Sequence, residues 1–124
     1  MRRTRLVAAL SATIGLGLAV SACGSGAATS EARSACNRIE HSLTLYRQSL
    51  TATSPAKAQA LATQAQGALL AALPFASAAT SNDGSFNALM TTLSEATRVP
   101  EKYLVDSLSL QCHVIDSNTP YLAT

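Results

Sequence analysis

Three cysteines and two histidines are the side chains of this 124-residue chain best suited to making and breaking bonds. A thiolate attacks carbonyls, binds soft metals, pairs with a second thiol or takes up an acyl group, and imidazole serves as a base or a ligand. Cys23, Cys36, Cys112, His41 and His113 are scattered, and only Cys112 and His113 are neighbours. Adjacent residues on a helix face different ways, so that pair makes no thiolate–imidazole couple. A zinc centre takes three or four ligands. Two separate imidazoles read as solvated polar side chains on helix faces, and no metal site is expected.

The seven acids, Glu31, Glu40, Asp83, Glu95, Glu101, Asp106 and Asp116, are spread along the chain as surface charge, with no pair spaced for acid–base work. Asp83-Gly84 lacks the rest of a calcium loop. No phosphate-binding glycine loop, dinucleotide fingerprint or basic patch interleaved with aromatics is present. Tyr46, Tyr103 and Tyr121 read as half-buried packing residues. These features imply a non-enzymatic domain with no catalytic residue, cofactor or nucleic-acid partner.

The N-terminus carries a more specific pattern. Met1–Arg5 supplies a positive segment and Leu6–Val20 an apolar run of fifteen residues. That run falls short of the roughly 20 residues a spanning helix needs, and Gly15 and Gly17 weaken it further. It reads as a secretory signal. Arg2-Arg3 only partly fits a twin-arginine signal, because Arg5 stands where an apolar residue is expected, so general secretion is the better fit. Val20-Ser21-Ala22-Cys23 closes the run and resembles the lipobox of bacterial lipoproteins. Small Ser21 and Ala22 precede the cleavable bond, and Val20 replaces the commoner leucine. The resemblance implies cleavage after residue 22, diacylglycerol on the Cys23 sulfur, an amino group able to take a further acyl chain, and a place on the outer face of the cell membrane. Two or more acyl chains hold a protein stably on a bilayer.

With Cys23 assigned to lipid, Cys36 and Cys112 remain as an even pair in an exported chain, which reads as a disulfide. The net charge of +2 belongs to the precursor. Arg2, Arg3 and Arg5 lie in the leader, leaving six basic against seven acidic residues. Gly24–Thr29 reads as a flexible linker with a reach of about 14 Å, placing domain boundaries at 1–22, 23–29 and 30–124.

The elements that would carry these residues are helices. Ser30 is placed to cap a first helix, whose apolar stripe is Ala32, Cys36, Ile39, Leu43, Tyr46 and Leu50. Ser54-Pro55 starts a second, lined by Ala58, Leu61, Ala65, Ala68, Leu69, Ala72 and Leu73, with Gln59, Gln64 and Gln66 outward. Pro74 is expected to kink that helix, which runs on to about Thr80 before the Asn82-Asp83-Gly84 turn. Phe86, Leu89, Met90, Leu93 and Ala96 form a third helix ending near Arg98. Val99-Pro100 breaks the chain, and Pro100 is expected to open the last helix. Its stripe is Leu104, Val105, Leu108, Cys112 and Ile115, with Glu101, Lys102, Asp106 and Ser109 pointing away.

In an up-down array of four such helices, Cys36 and Cys112 fall at the same end. Were the last two helices continuous, the sulfurs would lie too far apart to bridge. The expected architecture is an all-α, four-helix bundle clasped by Cys36–Cys112 after a cleaved signal peptide. The expected function is that of a membrane-tethered envelope or interaction domain with a protein partner. A carrier or sensor of a small apolar ligand, held in an interior pocket lined by leucines and Phe86, is the alternative.

Overall fold

A computed structural model describes residues 25–117. Cys23, Gly24 and Tyr121 lie outside these residues, as do the signal segment and the stop expected at Asn118-Thr119-Pro120. Among the described residues there is no strand, and the helices run α1 (Ser25–Leu50), α2 (Pro55–Leu70), α3 (Leu73–Asn82), α4 (Asn87–Ser94) and α5 (Val105–Asp116).

The first helix starts at Ser25, five residues before the expected cap at Ser30. The stretch read as flexible linker is therefore helical from Ser25 onward. Ala27 and Ala28 are strong helix formers, and Ala28 is fully buried, so packing reinforces propensity over the Gly-Ser composition. At the other end, α1 turns back through four residues into α2. Ser54 caps α2 as expected: Lys57 N–H donates to Ser54 Oγ at 3.2 Å, and Pro55 occupies the first turn. Ser54→Ala should lower stability by about 1 kcal/mol in urea denaturation, whereas Ser54→Asp should hold it. An unchanged midpoint for the alanine variant would refute the cap.

Past Leu70 the chain bends without reversing. Ala71 and Ala72 keep right-handed helical angles, and α3 continues to Asn82 with Pro74 in its first turn. The loss of one donor at Pro74 is thus absorbed as a kink. Both α2 and α3 pack along α1, so α1 faces one long bent antiparallel partner. Taken with α4 and α5, these make the four rods of the bundle.

Asp83 shapes the turn into α4. Its carboxylate accepts from Ser85 N–H at 2.9 Å, a bond that also holds its pKa below the ordinary value. The reversal between α4 and α5 is a corner of two 3₁₀ turns, Glu95–Thr97 and Glu101–Tyr103. Pro100 is extended, with φ −55° and ψ 139°, so it introduces the second 3₁₀ turn, and α5 begins only at Val105. Cys36 and Cys112 are joined, with Cα atoms 5.3 Å apart, while Glu101, just before α5, meets Ser42 farther along α1, so α5 runs antiparallel to α1.

The core is built from small residues as much as large ones. Ala28, Ala32 and Ala35 on α1, Ala72 in the bend and Ala76 and Ala79 on α3 are all fully buried. Leu69, Leu89, Leu93, Leu108 and Ile39 supply its bulk. Arg38 braces the α1–α3 seam from outside, its guanidinium carbon 4.6 Å from the Phe75 ring centre. Beyond Leu43 on α1, and before Ala65 on α2, no residue is fully buried. The tips of these two helices overhang the bundle as a thin hairpin, with Leu50 largely exposed.

Candidate functional site: the buried Ser42–Glu101 junction

The polar side chains buried deepest in the described residues are Ser42, fully buried, and Glu101, 7% exposed. Ser42 stands seven residues, two turns, after Ala35 on the side of α1 that meets α2. A larger residue there would hold the helices apart. Serine lets the α2 backbone approach until Ser42 Oγ lies 2.6 Å from the Ala65 carbonyl oxygen. The same hydroxyl lies 2.7 Å from Glu101 Oε1, reaching in from the corner before α5.

The corner also links directly to α2. Gln66 donates from Nε2 to the Ala96 carbonyl at 2.7 Å, and is half-buried rather than outward as its sequence position suggested. Glu101, expected to point away with Lys102, Asp106 and Ser109, is the clearest departure; the other three are exposed. The late start of α5 explains it. Glu101 belongs to a 3₁₀ turn, whose three-residue period rotates its side chain off the outer face that an α-helix from Pro100 would have given it.

Burial raises the Glu101 pKa above its ordinary value, and the Ser42 contact works partly against that. A hydroxyl has one proton, and Ser42 Oγ lies between two oxygens at hydrogen-bond distance. If Ser42 donates to the Ala65 carbonyl, the short contact to Glu101 requires the carboxyl to be the donor.

The remaining residues that the sequence singled out do not converge. His41 and His113 are both exposed. Among the described residues, no three His, Cys, Asp or Glu side chains gather as a metal would require. Tyr46 is half-buried, while Tyr103 is 66% exposed with the Lys102 ammonium 4.6 Å from its ring centre. Phe86 is in the core. A shallow cleft of about 200 Å³ runs between α1 and α5, lined by Glu40, Leu43, Thr44, Arg47 and Ser109. It is smaller and more polar than a site for an apolar molecule, which occupies at least about 300 Å³. Among the described residues, no helix is long and apolar enough to cross a membrane.

Comparison with known proteins finds no match, whether among family models, curated proteins or solved structures.

Proposed function

We propose that the chain is a bacterial lipoprotein, displaying a disulfide-clasped helical bundle on the outer face of the cell membrane as a non-enzymatic interaction domain. The observation that supports this reading most directly is the Cys36–Cys112 bond. Structural disulfides persist in oxidising compartments, so the bond fits export. It uses two of the three cysteines and leaves Cys23, at the end of the lipobox-like stretch, for the lipid.

The early start of α1 sharpens the picture. Two residue steps separate Cys23 from Ser25, at most about 7 Å of chain. On this reading the body of the protein stands directly on the headgroups instead of drifting on a linker. The base so placed holds the first turn of α1, the corner around Asp83 and the end of α5. The overhanging tips of α1 and α2 lie at the opposite end, the end open to an envelope partner.

Mass spectrometry of protein extracted from membranes tests the assignment. The expected species begins at Cys23 and carries diacylglycerol. A chain retaining Met1, or one with a bare Cys23, would overturn it. Cys23→Ala should accumulate uncleaved; unchanged processing of that variant would count equally against the reading.

A further inference from the structure

We propose that Ser42, Glu101 and the Ala65 carbonyl form a proton-operated latch, closed when the Glu101 carboxyl donates to Ser42 Oγ while Ser42 donates to Ala65 O. The oxygen positions, 2.7 Å and 2.6 Å on either side of one hydroxyl, fit this closed state, because a hydroxyl has one proton for two short contacts. Removal of the carboxyl proton leaves three oxygens sharing one hydrogen. Ser42 then turns its proton toward the carboxylate, and its contact with Ala65 O becomes a close approach of two lone pairs. A carboxylate held at 7% exposure also loses its hydration. Both effects push the corner between α4 and α5 away from the α1–α2 crevice.

The groups around the junction offer little compensation. On α1, the titratable neighbours within a turn are Glu40 and His41, both exposed, Arg38, engaged over Phe75, and half-buried Tyr46. The titratable group of α2 is Lys57, eight residues from Ala65. The preceding 3₁₀ turn carries Glu95, ion-paired with Arg98. Lys102 sits against Tyr103, and α5 contributes exposed Asp106. The causes that shift Glu101 are its burial and the Ser42 contact.

The covalent clasp limits how far an opening spreads. Cys112 lies eleven residues beyond Glu101 and fixes the lower part of α5 to α1. The corner can therefore lift while the base of the bundle stays closed, exposing buried Ala96 and Leu104.

The sign of the pH dependence follows. An unfolded-state glutamate titrates near 4.5, and the folded-state value lies above it. Stability from the latch is complete below about 4.5 and is lost as pH rises through the folded-state value. Ordinary acid denaturation runs the other way. The oxidised full chain in detergent, labelled for carbon NMR at glutamate, gives the Glu101 titration directly. Its midpoint is expected above 4.5, and one at or below 4.5 would overturn the proposal. Glu101→Gln keeps a neutral side chain able to donate to Ser42. Its Tm should equal that of the parent at pH 4 and exceed it at pH 8, by a margin that grows with pH. A parallel pH course for the two proteins would also overturn the latch. Should the glutamine variant fail to fold, the titration alone decides. The test is independent of the lipid on Cys23.

Discussion

Removing the Cys36–Cys112 bond is expected to lower the stability of the bundle by about 4–5 kcal/mol. The bond joins residues 76 apart in sequence. On the chain-entropy account, closing a loop of that size in the unfolded state stabilises the fold by about 4.5 kcal/mol at 25 °C. A domain of roughly 90 residues has a total stability of about 5–13 kcal/mol, so a third or more of it rides on one covalent link. Urea midpoints with and without reductant measure the effect, and the double variant Cys36→Ala/Cys112→Ala repeats it without redox chemistry. Coincident curves would refute the role assigned to the bond. Single variants should fare worse than the double one in the cell, because each leaves one unpaired thiol that can join a second molecule in an oxidising compartment.

Ala35→Leu and Ala76→Leu are each expected to destabilise the bundle by about 3 kcal/mol. Overpacking a filled core typically costs about 1–3 kcal/mol. The upper end applies here because both positions are fully buried on helices packed against each other, α1 and α3. The core they belong to also contains the buried alanines at 28, 32, 72 and 79, whose short side chains cannot swing aside for added methylenes. The change must push the helices apart, and that strain reaches Ser42, on the same line of small residues. Ala60→Leu, on the exposed side of α2, is the control and should be close to neutral. Equal stability of the core and control variants, read from thermal melts, would show that the seam tolerates bulk.

Helix positions were legible in the sequence wherever an apolar stripe coincided with a punctuating residue. Ser54-Pro55 set the start of α2, and the reversal required for a Cys36–Cys112 bridge does occur around Val99-Pro100. The kink near Pro74 was legible because the next turn carries on with buried alanine spacing. Two features were hidden for related reasons. Ala28 and Ala35 carry so little hydrophobic weight that a stripe-counting argument passes over them, although both are fully buried in the core. Ser42 and Glu101 are ordinary surface residue types, and their burial depends on a 3₁₀ turn that shifts the rotational phase of α5. One signal was available: Ser42 falls at a seven-residue interval from Ala35 and Ala28, so it shares their face. No comparable pattern marks Glu101.

A helix that begins at Ser25, with Ala28 already fully buried, also bears on turnover. Proteases bind their substrates as extended chain, and mobile, small-residue segments are their usual points of attack. On the proposed lipoprotein reading, almost no such segment would separate an acylated Cys23 from folded structure. Release of the body from its anchor would first require unwinding of the opening turns of α1, with the loss of packing that this entails. If the chain is anchored as proposed, shedding would be governed by the fold's own opening equilibrium, and a bundle loosened by reduction should be clipped from the membrane sooner than an oxidised one.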